Sequence, residues 1–191
     1  MHLWGILLSG AVLILGMFFW YFFFVREPSG EPFEGFPDPV HFYCGDGDFI
    51  LGKVTLEELL DRGVNLDISS AEKALELNGG GSNAFRLKIE GDNWVYFRVK
   101  NRTTQMMPVL SCPVVEISIR IAESGIDEYI QFDFPFPNSR ERILEGAGKP
   151  DYINTRDARE EWKYMGYHTG AEYEIVFRRG KMYEFTVNDD R

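Results

Sequence analysis

The chain is 191 residues long and contains 20 basic and 30 acidic residues, which gives a formal net charge of −10 at pH 7. An acidic surface of this kind repels phosphate backbones and argues against nucleic-acid binding. The densest basic spot in the sequence is Arg178, Arg179 and Lys181, and this spot is predicted to be a turn.

The first segment is apolar without interruption. Residues 3–25 read LWGILLSGAVLILGMFFWYFFFV, and residues 1–25 contain no Lys, Arg, Asp or Glu. As a helix this run would be roughly 34 Å long, enough to cross the hydrocarbon core of a bilayer. It ends in bulky aromatics without a small-residue cleavage pattern, which favours an uncleaved anchor over a cleaved signal peptide. We therefore expect residues 1–25 to be a single transmembrane anchor that contacts membrane lipid through residues 3–25.

The side of the membrane on which the soluble domain lies is predicted from the order of tail, span and domain, not from the charges near the span. Arg26 is the first basic side chain after the span, and one charge does not decide the orientation. A very short N-terminal tail before a span and a whole domain is the usual arrangement of a signal anchor. We therefore expect the domain to lie on the extracytoplasmic side.

A segment rich in proline and glycine follows the anchor. Residues 26–40 read REPSGEPFEGFPDPV and hold four prolines and two glycines. These residues disfavour a helix or a central strand. The pattern predicts a linker over 26–45 and a soluble domain over 46–191.

The soluble domain is predicted to begin with a short helix at about 55–62. Thr55 and Glu58 have the spacing of a capping box, and Gly63 is a natural stop. Residues 69–77 read as either another helical turn or an irregular segment.

Four later segments alternate apolar and polar residues, which is the pattern of half-buried strands. They read AFRLKIE (84–90), NWVYFRVK (93–100), VVEISIRI (114–121) and EYIQFDF (128–134). A glycine-rich loop at 78–83 precedes them, and Gly91-Asp92 predicts a two-residue hairpin turn between the first two strands.

The order of helix and strands then begins again. Asn138 and Glu141 have the spacing of cap residues, and Gly146 predicts the end of the second helix. Further strands are predicted in EEWKYMG, AEYEIVFR and KMYEFTV.

The stretch EYEIVFRRGKMYEF, 172–185, is typical of a β-hairpin. Gly180 supplies the positive φ angle that a tight hairpin or bulge needs. Alternation places Tyr183, Phe185 and Val187 on one apolar face. Amphipathic pairing explains this stretch without a catalytic role for any of its residues.

The predicted fold class is α+β, with an antiparallel sheet and short helices on one face. Each half contains a helix followed by three or more strands, so the chain is predicted either to contain two degenerate αβββ halves, 46–124 and 125–191, or to form one meandering sheet.

The second half resembles the small lipoprotein of the outer-membrane β-barrel assembly machine and the repeats of β-lactamase inhibitory protein. The resemblance covers 138–187 and includes a short helix, a G-x-P loop, a W-x-Y strand and a hairpin with an aromatic residue before its glycine. The residues that carry it are Gly148, Lys149, Pro150, Trp162, Tyr164, Phe177 and Gly180. It implies a non-enzymatic scaffold that binds another protein. Residues 46–121, with VTLEELLDRG and VKNRTT, resemble uncharacterised surface proteins of Gram-positive bacteria, which implies no activity.

Cys44 and Cys112 are the only cysteines in the sequence. On an exported domain they could form a disulfide. Two free, buried thiols acting as small apolar side chains are the alternative.

A catalytic or metal site around His41, Cys44 and Asp46 is the alternative function. A Cys–His pair requires a third, orienting group, which the sequence does not identify. Asp46 and Asp48 match the first two ligands of a calcium loop, but Ile50 occupies the third ligand position. We therefore expect no enzyme activity and no cofactor.

Four aromatic residues are candidates for a partner-binding surface. Trp94 and Tyr96 lie opposite the apolar face of their strand, and Trp162 and Tyr164 lie in a later strand. Aromatic anchors dominate the energy of many interfaces, although a helix covering the second face would bury these side chains instead. The sequence thus predicts a membrane-anchored, extracytoplasmic, non-catalytic protein-binding or scaffold module.

Overall fold

The computed structural model describes residues 34–122, 125–134, 139–165 and 170–191. The predicted anchor over 1–25, residues 26–33 of the predicted linker and His168 lie outside these residues. Across the described ranges, no helix has both the length and the apolar character needed to span a bilayer.

The described residues form mainly β-strands with three short α-helices. The helices are α1 (Leu56–Asp61), α2 (Ser70–Lys73) and α3 (Arg140–Ala147). The strands of the first half are β1 (His41–Cys44), β2 (Gly47–Ile50), β3 (Leu66–Asp67), β4 (Glu76–Leu77), β5 (Ser82–Leu87), β6 (Trp94–Lys100), β7 (Met107–Pro108) and β8 (Val114–Arg120). Those of the second half are β9 (Gln131–Phe132), β10 (Tyr152–Arg156), β11 (Arg159–Tyr164), β12 (Glu172–Arg178) and β13 (Lys181–Asn188).

Among the described residues, eight strands form one antiparallel sheet in the order β10-β11-β12-β13-β8-β6-β5-β3. The last strands of the two halves, β8 and β13, pair at its centre, with Ile119 opposite Phe185. A smaller sheet has the order β2-β1-β9, and β4 pairs with β7. The predicted α+β class is therefore confirmed as a mainly antiparallel sheet with a few short helices.

One face of the large sheet, here called the inner face, carries the hydrophobic core. Ile117 and Ile119 of β8 and Phe185 of β13 are fully buried there. The same cluster of buried side chains includes Leu56 of α1 and Ile143 of α3. Because apolar burial is the main favourable term in folding, this layer holds the helices and the small sheet against the large one.

The first helix agrees with its sequence signals. The Thr55 hydroxyl accepts a hydrogen bond from the Glu58 amide at 3.3 Å, and the Glu58 carboxylate accepts one from the Thr55 amide at 2.8 Å. This reciprocal pairing satisfies two amide donors that the first turn leaves open. Gly63 follows the helix with a φ of +81°, as predicted.

The second predicted helix begins and ends later than its sequence signals indicated. Ser139 is the N-cap, since its hydroxyl accepts from the Arg142 amide at 3.3 Å. The predicted cap, Asn138, lies outside the described residues. The helix continues through Gly146 to Ala147. Gly148, not Gly146, leaves the helical conformation, with a φ of +73°, and ends the helix.

The domain begins earlier than predicted. The described part of the predicted linker is packed: Phe36 stacks on Tyr173 with ring centroids 4.1 Å apart, and Val40 is fully buried. The Tyr173 hydroxyl donates to the Pro37 carbonyl at 2.7 Å. The linker boundary at 45 was therefore wrong, because Phe36 and Val40 pack against the core and His41–Cys44 already form strand β1 of the small sheet.

Two predictions about strands also need correction, and one strand was missed. Strand β5 ends at Leu87 and β6 begins at Trp94, so the connection is longer than the two residues Gly91-Asp92. The segment 128–134 forms only a two-residue strand, although Ile130, Phe132 and Phe134 are buried as its alternation indicated. The edge strand β10 was not predicted, because its sequence YINTR lacks an apolar alternation.

Candidate functional site

The opposite face of the large sheet, here called the outer face, carries polar and aromatic side chains in register. Trp94 lies opposite Arg120, and Tyr96 lies opposite Ser118. Because side chains alternate along a strand, these residues point away from the buried Val95. The outer face thus places aromatic rings beside cationic groups on neighbouring strands.

Five of these side chains form a continuous series of ring and guanidinium contacts, which we call the aromatic–arginine ladder. Its members, in spatial order, are Tyr96, Trp94, Arg120, Tyr183 and Arg178. The Tyr96 and Trp94 ring centroids are 4.9 Å apart at an interplanar angle of 77°, an edge-to-face arrangement. The Arg120 guanidinium carbon is 5.3 Å from the Trp94 ring centroid and 4.8 Å from that of Tyr183. Arg178 lies 3.7 Å from the Tyr183 centroid.

The position of Tyr183 depends on a β-bulge in β13. Val176 pairs with Glu184, whereas the next residue, Phe177, pairs with Met182, so Tyr183 lies between two paired positions. The sequence predicted that Tyr183 would share the apolar face of Phe185, and this was wrong. A bulge changes the direction of a side chain, and here it brings the ring to the arginines of the outer face.

Contacts between a guanidinium and an aromatic ring stabilise a surface by about 0.5–1 kcal/mol each at exposed sites. Tyr96 is 36% exposed, so the ladder remains open to solvent at this end. Among the described residues, the buried Nε atom of Arg120 has no hydrogen-bond partner. The ladder is therefore an ordered surface that is open to solvent at its Tyr96 end.

The other two predicted surface aromatics are core residues. Trp162 and Tyr164 are 4% and 8% exposed, and they lie on the inner face opposite Ile175 and Tyr173. The Tyr164 hydroxyl donates to the Gly148 carbonyl at 3.0 Å. Burial and the nearby charge of Asp151 raise the pKa of Tyr164 to about 12. Their exposure as a partner-binding surface is therefore contradicted by their burial.

The two cysteines are free thiols, both buried. Desolvation raises the pKa of the Cys44 thiol to about 12, against the opposing effect of a backbone hydrogen bond from Gly45. Burial also raises the pKa of Cys112. A buried thiol with a raised pKa is a poor nucleophile at neutral pH, so both cysteines act as small apolar side chains.

His41, the predicted partner of Cys44, does not face the thiol, and Asp46 is exposed in the turn between β1 and β2. His41 and Cys44 lie three residues apart in β1, so their side chains point to opposite sides of the strand. The His41 Nδ1 atom lies 3.5 Å from an Asp48 carboxylate oxygen instead. Within the described residues, no group of three or more potential ligand side chains is arranged to hold a metal ion.

The sequence missed three members of the ladder as candidate site residues, namely Arg120, Tyr183 and Arg178. Alternation along β8 does place Arg120 on the polar face. Its contact with Trp94, however, depends on the register between β6 and β8. No local sequence pattern sets that register.

Comparison of the chain with protein-family models, curated proteins and solved structures gives no significant match.

Proposed function

We propose that the chain is a membrane-anchored, non-catalytic protein-binding module whose partner docks on the outer face of the large sheet. The observation that carries this proposal is the aromatic–arginine ladder. Trp, Tyr and Arg are the side chains that most often dominate the binding energy of protein interfaces. Five of them in a series across four strands favour an interface over a purely solvated surface.

The geometry of the ladder supports docking because its groups are already ordered. Tyr183 contacts Arg178 and Arg120, and Trp94 contacts Arg120 and Tyr96. Side chains that are restrained before binding lose less conformational entropy when a partner covers them. A partner could thus gain apolar and hydrogen-bonding contacts at low ordering cost.

Two further features favour binding over catalysis. The one candidate nucleophile that the sequence offered, Cys44, is buried with a pKa raised to about 12. Of the two groups expected around it, His41 lies beside Asp48 and Asp46 is exposed. The proposal therefore assigns no catalytic residue.

The proposed location rests on the sequence. The apolar run 3–25 supports a single-pass anchor, and we propose that the domain lies on the extracytoplasmic side. Protease shaving of intact cells tests the proposed location of the domain directly. We expect the domain to be degraded, and a domain that survives while the envelope is intact would contradict the location.

We also propose that the domain is a degenerate tandem repeat. In each half a helix precedes a four-stranded meander, β3-β5-β6-β8 after α1 and β10-β11-β12-β13 after α3, and the last strands of both meet at the centre. This arrangement is the observation on which the repeat proposal rests.

A quantitative cross-linking pull-down from intact cells tests the proposed function. The full-length wild-type chain is compared with two outer-face variants. One is the double variant Trp94→Ala/Tyr96→Ala, and the other is Arg120→Glu. Tyr43→Ala is the control, because Tyr43 is 40% exposed but lies on the small sheet. We expect recovery of the partner to fall about tenfold in both outer-face variants and to stay unchanged in the control. Equal recovery with all four proteins would contradict the proposal.

A further inference from the structure

Four cationic side chains lie directly opposite one another across four strands of the outer face, and we call them the basic row. Arg156 of β10 pairs with Arg159 of β11, Arg159 pairs with Arg178 of β12, and Arg178 pairs with Lys181 of β13. All four are exposed. Adjacent strands are about 4.8 Å apart, so the row is about 14 Å long.

The turns beyond the row bring a fifth cation close. Arg179 and Gly180 form the turn between β12 and β13, with φ angles of 50° and 79°. The Arg179 amide donates to the Ala158 carbonyl at 2.9 Å, which joins this turn to the turn between β10 and β11. The basic row therefore has a fixed position at one end of the sheet.

Two other cationic side chains on the same face have acidic partners. Lys163 lies 3.0 Å from the carboxylates of both Glu161 and Glu174, and Arg98 pairs with Glu116. Like charges directly opposite in a sheet are destabilising. Among the described residues, the row makes one ion pair, between Arg159 and Glu161 at an N–O distance of 3.9 Å. The chain has a net charge of −10, yet the row contains three consecutive pairs of like charges. Their repulsion lowers the free energy of unfolding, whereas cationic side chains at neighbouring positions are paired with carboxylates.

The row also contains a recess. A pocket of about 130 Å³ is lined by Asn154, Arg156, Arg159 and Glu161. Its two guanidiniums offer planar pairs of N–H donors, the geometry that binds a carboxylate through two hydrogen bonds. A carboxylate placed there would offset the repulsion between Arg156 and Arg159.

We propose that the basic row binds an extended, carboxylate-rich segment of the partner protein. This inference rests on the proposed function and adds the chemistry of the partner. At about 3.3 Å per residue, roughly four to five extended residues match the length of the row. Arg178 belongs to both the row and the ladder, so one partner can cover both surfaces without a gap.

The charge of the rest of the domain favours a short acidic segment over a membrane or a nucleic acid. Glu174, Glu161 and Glu184 lie on the same face within one or two positions of the row. An anionic bilayer or a long phosphate backbone would meet these carboxylates as well as the row. A short peptide meets fewer of these carboxylates, of which Glu161 lines the recess beside Arg156 and Arg159.

Binding of synthetic peptides to the full-length chain in neutral detergent micelles tests this proposal. The probes are hexaglutamate, hexaglutamine and, as a separate arm, vesicles of phosphatidylcholine with phosphatidylglycerol. The row variant is Arg156→Gln/Arg159→Gln, which leaves the ladder intact. The control is Lys53→Gln/Lys88→Gln, which removes the same charge from two exposed positions outside the row. Urea unfolding is measured for each protein.

We expect hexaglutamate, but not hexaglutamine, to bind the wild-type and control proteins, and to bind the row variant about tenfold more weakly. We also expect the row variant to unfold at a higher urea concentration than the wild type, because two like-charge pairs are lost. Equal hexaglutamate binding to all proteins would overturn the proposal. Row-dependent binding of the anionic vesicles without binding of hexaglutamate would also overturn it.

The pull-down with the row variant separates this proposal from the proposed function. If partner recovery falls for Trp94→Ala/Tyr96→Ala but not for Arg156→Gln/Arg159→Gln, the acidic-segment proposal fails and the outer-face interface stands. If neither variant loses the partner, the proposed function fails.

Discussion

The guanidinium carbon of Arg178 lies 3.7 Å from the centroid of the Tyr183 ring, and both side chains lie on the outer face of the large sheet. The contact exists because one extra residue in β13 turns Tyr183 away from the core. It joins the aromatic–arginine ladder to the basic row. The two surfaces together form the region that we propose as the binding face.

The ladder should contribute to stability through Arg120, which contacts two rings. We predict that Arg120→Ala lowers the free energy of unfolding by about 1–2 kcal/mol, the sum of two cation–π contacts. Urea unfolding of the full-length chain measures this, with Arg86→Ala as the control because Arg86 is an exposed arginine on the same face. Equal losses in both variants would show that the ring contacts add nothing.

The hairpin turn before Tyr183 should require glycine for its conformation rather than for space. A Cβ atom at Gly180 would meet no other atom within 4 Å, but its φ is +79°. We predict that Gly180→Val destabilises the domain by about 1–2 kcal/mol, since a β-branched residue is strained there. Gly180→Asn should lower the free energy of unfolding clearly less than Gly180→Val does. An equally large decrease in the two variants would contradict this explanation. Thermal unfolding of the two variants makes the comparison.

Asn101 should be a structural residue although Asn101-Arg102-Thr103 has the form of a glycosylation sequon. The side chain is fully buried, donates to the carbonyls of Leu77 at 2.8 Å and Gln105 at 2.6 Å, and accepts from the Thr103 amide at 2.9 Å. We predict that Asn101→Ala lowers the free energy of unfolding by about 3 kcal/mol, because it leaves buried groups without partners. Asn83→Ala, at a less buried position, is the control in the same urea measurement. An equal, small loss in both would contradict the assignment.

Stability should decrease at alkaline pH because of Cys44. Its pKa is raised from 9.0 to about 12 by burial, so the folded state keeps the proton that the unfolded state releases. Stability is therefore full below pH 9 and decreases as the pH rises from 9 towards 12. We predict a shallower decrease for Cys44→Ala over this range, measured by urea unfolding at each pH. Parallel curves for the two proteins would contradict the burial of the thiol.

The same burial predicts slow thiol labelling. We expect iodoacetamide to modify neither cysteine of the native chain at pH 8, because both thiols are buried and burial raises the pKa of each. For Cys44, a pKa of about 12 leaves a thiolate fraction on the order of one in ten thousand. Both cysteines should react after denaturation. Rapid labelling of Cys44 in the native chain would revive the reactive-thiol alternative.

The contacts of Asp189 with two arginines should make the free energy of unfolding fall at acid pH. Burial alone would raise the pKa of Asp189, but hydrogen bonds from Arg191 and the charges of Arg191 and Arg102 hold it below its ordinary value of 3.8. The stabilisation is thus present above pH 3.8 and is lost as the pH falls through the lowered pKa. We predict that Asp189→Asn is less stable than wild type at neutral pH and that this difference shrinks in acid. A pH-independent difference, or an equal effect of the exposed-site control Asp92→Asn, would contradict this account.

The sequence predicted those parts of the fold that depend on local patterns. The capping box at Thr55 and Glu58 determines the start of α1 through contacts within one turn. The alternation of β6 and β8 assigns Val95 and Ile119 to the core and Trp94 to the other face. Such features need no knowledge of the remaining chain.

The parts that were missed depend on pairing between distant residues. The packing of Phe36 on Tyr173 joins residues 137 positions apart in the chain, and no local pattern in the proline-rich segment indicates it. The bulge at Tyr183 and the basic row follow from the register of β10 to β13. Cross-strand register is determined by the assembled core rather than by either strand alone, so the side chains of the proposed binding face are brought together only in the folded chain.

Site-specific photo-cross-linking in intact cells tests the central claim most directly. A benzophenone amino acid replaces Tyr96 on the outer face in one protein and Tyr43 on the small sheet in another, since both positions are exposed. We predict a defined cross-linked partner for position 96 and a much weaker product for position 43. A partner captured equally at both positions, or only at position 43, would contradict docking on the aromatic–arginine ladder.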